Sequence, residues 1–245
     1  MTDHTSLLNA LRGRLIVSCQ AYPGDPLRGP QHMAAMAASV ARAPVAGIRA
    51  EGLDDLRAIR SVTTLPIIGL WKDGDTGVYI TPTARHAHAV AETGVDIVAI
   101  DATDRPRPDG GDLIDSLTVV HQSGRLVMAD VSTFEEGVRA AELGADIVST
   151  TLSGYTPHSR LADGPDLELV SRLAARLDVP VTAEGRIHSP TQARQAISAG
   201  AWAVVVGTAI TAPASIAQWF AEALRNRSDL QPLRPLWPIC VSVPR

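Results

Sequence analysis

The sequence predicts an α/β fold, namely a single-domain (β/α)8 barrel of the TIM-barrel type. The chain has 245 residues, the usual size of one such domain. Eight apolar runs alternate with segments of helical periodicity, and such alternation forces parallel pairing with right-handed crossovers. A doubly wound open sheet is the competing architecture. Eight units and the lack of a dinucleotide-binding fingerprint in the sequence favour the closed barrel.

Each apolar run ends at a polar residue or a glycine, as expected where a strand buried on both faces leaves the sheet. In chain order the predicted strands are 15–20, 46–49, 66–72, 96–101, 126–130, 146–151, 180–184 and 203–207. The residues that end them are Gln20, Arg49, Lys72, Asp101, Asp130, Thr151, Glu184 and Gly207. In a closed barrel these eight residues converge on the C-terminal face, where barrel enzymes have their active sites.

The segments between the strands have apolar residues at helical spacing. The predicted helices are 31–43, 53–61, 84–92, 113–122, 134–143, 166–177, 191–199 and 214–225. Helix-start signals include Thr83 and Ser189. Residues 91–98 are echoed at 141–148 and, more loosely, at 198–205. This repeat predicts a helix-to-strand unit in which a glycine follows each helix.

Long loops and a tail complete the predicted organisation. The loops 73–80, 103–111 and 152–165 follow strands at the catalytic end, where long loops serve as lids and substrate walls. Residues 1–227 are assigned to the barrel. Residues 228–245 contain four prolines and are expected to form a C-terminal tail that is disordered or packs on a neighbour.

Composition indicates a globular protein without a charged binding surface. Hydrophobic residues make up 45% and the net charge is −4, with no block of like charges. Nucleic acid and membrane partners are therefore not expected, and an anionic ligand must be held by local donors. Cys19 and Cys240 do not form a disulfide framework. Without a signal-peptide or membrane-span pattern, the expected location is the cytoplasm.

Glu184 and Lys72 are the strongest candidates for proton transfer. Glu184 ends an apolar strand, and desolvation of its charged form makes a carboxyl a better acid or base near neutral pH. The alternative for Glu184 is an internal salt bridge with Arg49 or Arg186. Lys72 also ends a very apolar run, where partial burial favours the neutral amine for proton transfer or Schiff-base chemistry. The alternative for Lys72 is a side chain that reaches solvent.

Two pairs of residues follow the seventh and eighth strands, where barrels commonly bind phosphate through backbone N–H groups and a short helix. They are Gly185 with Arg186 and Gly207 with Thr208. Glycine permits close approach of the backbone to a ligand. The alternative is that both glycines are ordinary turn residues.

The remaining strand-end residues are predicted to be polar supports. Arg49 and Gln20 are suited to bind a carbonyl, amide or hydroxyl of a substrate, and Asp130 to orient the lysine or a sugar hydroxyl. Asp101 is expected to pair with one of two arginines in the following loop, Arg105 or Arg107. The scattered histidines and the two cysteines form no metal-binding set in the sequence.

Seven stretches of the chain resemble the bacterial N-acetylmannosamine-6-phosphate 2-epimerases. They are 13–21, 47–50, 101–110, 128–133, 150–156, 183–187 and 206–211. The Thr-Thr-Leu-Ser-Gly-Tyr-Thr motif at 150–156 is very specific, and the resemblance extends over about residues 11–225. The sequence departs from the family pattern at Glu51, where many members have Asn, at Asp104, and in the loop after Lys72.

The resemblance implies a phosphate-binding barrel that uses no metal or organic cofactor and inverts C2 of a phosphorylated N-acetyl amino sugar. It implies that Lys72 and Glu184 are the catalytic pair. The substrate contacts it implies, with Thr151 added as a strand-end candidate, are Gln20, Arg49, Asp130, Thr151, Arg186, Gly207 and Thr208. A homodimer is a possible assembly. A Schiff-base lyase or aldolase and a non-catalytic sugar-phosphate-binding regulator are the alternatives.

Overall fold

The computed structural model describes residues 4–161 and 163–225, which form a closed barrel of eight parallel strands in sequential order. The strands are β1 Leu15–Cys19, β2 Gly47–Glu51, β3 Ile67–Leu70, β4 Ile97–Asp101, β5 Leu126–Asp130, β6 Ile147–Ser149, β7 Val181–Glu184 and β8 Ala203–Val206. Strand β1 pairs with β8 through Leu15 and Val204, which closes the barrel. The predicted (β/α)8 fold is confirmed, and the predicted tail 228–245 lies outside the described residues.

Ten helices lie within the described residues. They are α1 His4–Leu11, α2 Pro30–Val40, α3 Leu53–Arg60, α4 Ala84–Ala91, α5 Leu113–Gln122, α6 Phe134–Glu142, α7 Leu167–Arg176, α8 Pro190–Ser198, α9 Thr208–Thr211 and α10 Pro213–Arg225. All eight predicted helices are present. Thr83 caps α4 by accepting from the amide of His86, and Ser189 forms a capping box with Gln192 at the start of α8.

The repeated helix-to-strand unit is also present. Gly94, Gly144 and Gly200 follow α4, α6 and α8 with φ values of 85°, 101° and 105°. This left-handed conformation ends a helix and is readily adopted only by glycine. The sequence repeat therefore marks three equivalent helix ends, each followed by a strand.

Alternation along the strands separates two apolar layers. Outward residues such as Val98 and Ile100 pack in a cluster between the barrel and its helices. Inward residues such as Ile68, Leu70 and Met128 form a second cluster inside the barrel. Since side chains alternate with a period of two, the next inward position beyond Leu70 is Lys72, and the next beyond Met128 is Asp130.

Helix α1, which was not predicted from the sequence, closes the N-terminal end of the barrel. Its Leu7 and Leu11 belong to the inner apolar cluster, and Trp202 donates from Nε1 to the carbonyl of Leu8 at 2.8 Å. An eight-residue segment with two core-facing leucines carries little periodic signal. The inner cluster therefore fills the lower part of the barrel and leaves only the opposite end open to polar chemistry.

Several predicted strands extend one or two residues beyond their observed C-terminal ends, whereas β2 continues to Glu51. Strand β3 ends at Leu70 rather than at Lys72. The chain leaves the barrel sheet there because Lys72 forms an antiparallel bridge with Ile80. Gln20 and Thr151 similarly lie just beyond β1 and β6, in the irregular segments above the sheet.

Gly69 on the outer face of β3 should tolerate no side chain. A Cβ atom there would lie 2.6 Å from Cγ1 of Val95 and 3.0 Å from Cδ1 of Leu56. We expect Gly69→Ala to lower the free energy of unfolding by about 1–3 kcal/mol through overpacking, measured by urea denaturation. Gly111→Ala is the control, because its Cβ would meet only the flexible side chain of Asp109. Equal stabilities of the two variants would contradict this packing.

Candidate active site

The C-terminal end of the barrel contains a cavity of about 450 Å³. Six of the eight strand-end residues predicted from the sequence line it: Gln20, Arg49, Lys72, Thr151, Glu184 and Gly207. The other two, Asp101 and Asp130, have no exposed surface. The predicted convergence on one face is therefore confirmed, with two carboxylates buried beneath or beside the cavity.

Arg49 is a buried cation held between two carboxylates. Its side chain is 1% exposed and forms a bidentate pair with Asp130, at 3.1 and 2.6 Å. It also lies 3.3 Å from Oε2 of Glu184. Burial lowers the pKa of Arg49, but the two carboxylates more than offset this, so the pKa is raised overall. The guanidinium is thus a fixed positive charge under the cavity.

Glu184 is both an ion-pair partner and a cavity residue. Its side chain is 13% exposed, and Oε2 accepts a hydrogen bond from Thr151 at 3.1 Å. Its backbone is fixed because Thr150 Oγ1 accepts from the amide of Glu184 and donates to its carbonyl, at 3.2 and 3.1 Å. Burial raises the pKa of Glu184 against the opposing effect of Arg49. The alternative prediction, a salt bridge between Glu184 and Arg49, is thus correct, and Glu184 also lines the cavity.

Lys72 is half-buried and its amine points into the cavity. Nζ donates to Oε1 of Gln20 at 2.8 Å, and Gln20 in turn donates to Ser18 at 3.0 Å. The amine also lies 5.4 Å from the centre of the Tyr22 ring. Lys72 is the only lysine in the chain, whose other 21 basic residues of this kind are arginines.

The electrostatic surroundings of Lys72 favour its neutral form. Burial is the main cause that lowers the pKa of Lys72, and the charge of Arg49 lowers it further. The carboxylates of Glu51, Glu184 and Asp130 act in the opposite direction, with Glu51 the strongest of them. The net effect is a lowered pKa, which makes this amine a better base than an ordinary lysine near neutral pH.

The two buried carboxylates each pair with an arginine. Asp130 binds Arg49 at 2.6 Å and accepts from Thr151 Oγ1 at 2.7 Å, and its orientation of Lys72 or of a sugar hydroxyl stays a prediction. Asp101 pairs with Arg105 at 2.7 Å. Arg107 instead donates to the main-chain carbonyl of Asp101.

The residues after β7 and β8 line the same cavity. Gly185 has a φ of 102° and Arg186 a φ of 53°. The Arg186 guanidinium donates to the carbonyls of Gly164 at 2.8 Å and Ser153 at 2.5 Å, so part of it braces the loop after β6. Gly207 begins the short helix α9 at Thr208, and a Cβ at 207 would lie 3.2 Å from Cβ of Ser18.

Sequence reasoning missed Glu51 as a cavity residue. Glu51 lies at the end of β2, two residues after Arg49, and is 9% exposed. It lines the cavity with Arg28 of the loop after β1, whose guanidinium is 3.8 Å from its carboxylate. The sequence contained the information needed to find it. Side chains along a strand alternate between the two faces, so a strand that points Arg49 inward also points Glu51 inward.

No group of three or more His, Cys, Asp or Glu side chains in the described part of the chain is arranged to hold a metal ion. No described helix has the length and apolar character needed to cross a membrane.

Comparison with known proteins identifies close relatives. Residues 33–226 match the profile of the family described as "Putative N-acetylmannosamine-6-phosphate epimerase". A relative from Cutibacterium acnes that carries the corresponding 2-epimerase name is 50% identical over 222 residues, which cover 89% of this chain and 97% of the relative. One from Clostridium perfringens is 44% identical over 221 residues, or 89% of this chain and all of the relative.

A solved structure gives the same result. The N-acetylmannosamine-6-phosphate 2-epimerase from Clostridium perfringens superposes with a TM-score of 0.87 at 42% sequence identity, covering 91% of this chain and 98% of that one. Identity at this level over nearly the full length of both chains extends well beyond a shared barrel fold. The chain therefore belongs to the N-acetylmannosamine-6-phosphate epimerase family.

Proposed function

We propose that the protein is an isomerase that interconverts N-acetylmannosamine 6-phosphate and N-acetylglucosamine 6-phosphate in the breakdown of amino sugars such as sialic acid. The observation that carries this proposal is the pair formed by Lys72 and Glu184. An amine with a lowered pKa and a carboxyl with a raised pKa face one cavity, in a chain of the epimerase family. Both groups are suited to exchange protons near neutral pH.

The chemistry follows from the position of the inverted carbon. In the ring-opened sugar, C2 lies next to the C1 aldehyde, so removal of its proton gives a resonance-stabilised enolate. Return of a proton to the other face inverts the centre. The substrate and product have the same oxidation state, so the reaction consumes no oxidant or reductant.

Lys72 is the proposed base at C2, because burial lowers the pKa of its amine and makes the neutral, basic form more accessible. Glu184 serves the opposite face in a two-base scheme. In a one-base scheme, Glu184 assists ring opening or transfers the proton at O1, and Lys72 acts on both faces of an intermediate that rotates in the site. The ion pair with Arg49 favours a carboxylate at Glu184 in the resting state, and burial favours the acid. The net effect is a raised pKa, which makes the acid form of Glu184 more accessible than that of an ordinary carboxyl.

The polar residues around this pair are the proposed substrate contacts. Gln20, Arg49, Thr151 and Arg186 line the cavity and present amide, guanidinium or hydroxyl groups to it. Asp130 is fully covered by protein. We therefore assign it a positioning role through Arg49 and Thr151 instead of direct contact with the sugar.

The proposed phosphate site consists of Gly185, Arg186, Gly207 and Thr208. The first amides of a helix have no intrahelical acceptor, and a site near the start of α9 would use them as donors to the anion. The Arg186 guanidinium supplies a positive charge beside them. Local donors are required here because the chain has a net charge of −4.

We also propose a homodimer and a cytoplasmic location. Helix α10 has no fully buried residue, and its Phe220 and Leu224 are 71% and 72% exposed. Two large apolar side chains one helical turn apart favour coverage by a second copy of the chain. A phosphorylated substrate is a metabolite of the cytoplasm, since phosphate esters do not cross membranes unaided.

Turnover in D₂O tests the reaction. We expect N-acetylmannosamine 6-phosphate to give N-acetylglucosamine 6-phosphate with deuterium at C2, followed by NMR. The unphosphorylated sugar should have a kcat/KM lower on the order of 10²-fold or more, since it forgoes charge-assisted hydrogen bonds to phosphate. Product that keeps its original C2 hydrogen would refute the mechanism. Equal kcat/KM for both sugars would refute the phosphate site.

Substitutions of Lys72 and Glu184 test which proton transfer each residue performs. Lys72→Arg keeps the charge but cannot become neutral, and Glu184→Gln keeps the shape but cannot titrate. We expect each to lower kcat on the order of 10²–10⁴-fold. If Glu184→Gln still exchanges the C2 proton with solvent but makes no epimer, two bases are supported.

Borohydride trapping separates epimerisation from Schiff-base chemistry. Since Lys72 is the only lysine, mass spectrometry after borohydride treatment with substrate should show Lys72 unmodified. A substrate-dependent adduct on Lys72 would instead favour an aldolase or lyase. Near-normal turnover by Lys72→Arg would show that the catalytic assignment is wrong.

The pH dependence of kcat/KM tests the role of Glu51. Lys72 must be neutral to accept a proton, so activity should rise with pH through the pKa of its amine. The carboxylate of Glu51 raises that pKa. Glu51→Gln should therefore lower the pKa further and move the acidic limb to lower pH. Asp54→Asn, which removes an exposed carboxylate near the start of α3, is the control. An acidic limb that stays in place or moves to higher pH in Glu51→Gln would contradict this role.

A further inference from the structure

Lys72 is carried by a short antiparallel ribbon that stands above the barrel. The chain leaves β3 at Leu70, and residues 71–73 then pair with residues 79–81. Lys72 bridges to Ile80, and the amide of Asp73 donates to the carbonyl of Tyr79 at 3.0 Å. The backbone of the proposed base is therefore held by this ribbon, which is joined to β4 because the amide of Asp101 donates to the carbonyl of Ile80 at 3.0 Å.

Thr81 binds both main-chain polar groups of Trp71, the residue that precedes Lys72. The amide of Thr81 donates to the Trp71 carbonyl at 2.7 Å, and its Oγ1 accepts from the Trp71 amide at 3.1 Å. Thr81 has no exposed surface. These two contacts fix the peptide groups on both sides of Trp71.

Thr81 makes these contacts from an unfavourable backbone conformation. Its φ is 47°, in the left-handed region that β-branched residues rarely adopt. It also precedes Pro82, and a residue before proline normally has an extended backbone. Conformations of this kind persist only where the surroundings enforce them, and they cluster at functional sites.

His86 of helix α4 holds the residues on both sides of Lys72 from outside the barrel. Its ring lies 4.5 Å from the ring of Trp71, and its Nε2 is 3.0 Å from a carboxylate oxygen of Asp73. The imidazole is itself fixed by Thr83 at 2.7 Å from Nδ1. With Nε2 protonated, it donates to Asp73 and accepts from the Thr83 hydroxyl. With both neighbours held, the Cα of Lys72 has little freedom.

We propose that Thr81, supported by His86, is a positioning residue that holds Lys72 in place for proton transfer at C2. Thr81 acts on the backbone before Lys72, and the hydrogen bond from the amine to Gln20 fixes the far end of the same side chain. A displacement of about 1 Å at a reacting group can cost on the order of 10²-fold in rate. The proposal rests on the proposed function of Lys72.

Isosteric substitutions of Thr81 separate positioning from folding. Thr81→Val removes the acceptor for the Trp71 amide but keeps the β-branched shape, and Thr81→Ser keeps the hydroxyl. We expect Thr81→Val to lower kcat by about 10–100-fold with KM within about threefold, since the proposed phosphate contacts lie on other loops. Thr81→Ser should restore most of the loss.

Thr93→Val is the matched control. Thr93 is also buried, and its hydroxyl donates to the carbonyl of Val90 at 2.7 Å. It follows the other end of α4, away from the cavity. If Thr93→Val lowers kcat as much as Thr81→Val, the effect is general destabilisation and the proposal is overturned.

A second measurement does not depend on turnover. Protein grown with ¹³C-lysine has one labelled lysine, so the NMR titration of its Cε signal reports on Lys72 alone. We expect Thr81→Val to broaden this signal and to move the pKa of Lys72 towards the ordinary value of about 10.4. Thr93→Val should leave both unchanged.

Turnover and the NMR signal together distinguish failure of the positioning role from failure of the proposed function. A Thr81→Val protein with wild-type kcat and an unchanged Lys72 signal would overturn the positioning role. A wild-type protein that does not epimerise the sugar would overturn the proposed function, while the Lys72 signal would still test the ribbon. If Thr81→Val does not fold, Asp73→Ala removes the exposed partner of His86 and should displace the same signal. An unmoved signal in that variant would also count against the proposal.

Discussion

The buried guanidinium of Arg49 is the constraint on which the site depends. A charge removed from water is costly unless opposite charges with good geometry surround it. Arg49 satisfies this requirement with Asp130 and Glu184, which come from β5 and β7, while Arg49 itself is on β2. One cation thus ties together three strands at the upper end of the barrel, and it holds an oxygen of Glu184 at the cavity.

This constraint also affects the pKa of Glu184, which burial raises and the charge of Arg49 lowers. The carboxylate of Asp130 remains paired with Arg49 through two hydrogen bonds whether or not Glu184 is charged. A proton on Glu184 therefore leaves no isolated charge in the interior. The arrangement makes the neutral acid accessible at a buried position, which a single Arg–Glu pair would not do.

Much of the fold could be predicted from the sequence because buried parallel strands and amphipathic helices produce strong periodic signals. The cavity residues Lys72 and Glu184 were found because a charged residue at the end of an apolar run is conspicuous. Helix α1 was missed because it is short, and Glu51 because it follows another polar residue in the alternation. The partner of Asp130 could not be predicted, since it depends on which side chains meet across the barrel.

The single lysine has a consequence for the chemical damage that this protein accumulates. Reducing sugars, cyanate and acyl phosphates all react with neutral lysine amines, whereas guanidinium groups stay protonated and far less nucleophilic. The chain carries arginine at every other such basic position, so lysine-directed damage is concentrated on Lys72. A molecule modified in this way would have lost its proposed base while its surface stayed intact. The fraction of molecules that lose activity would then equal the fraction modified at Lys72.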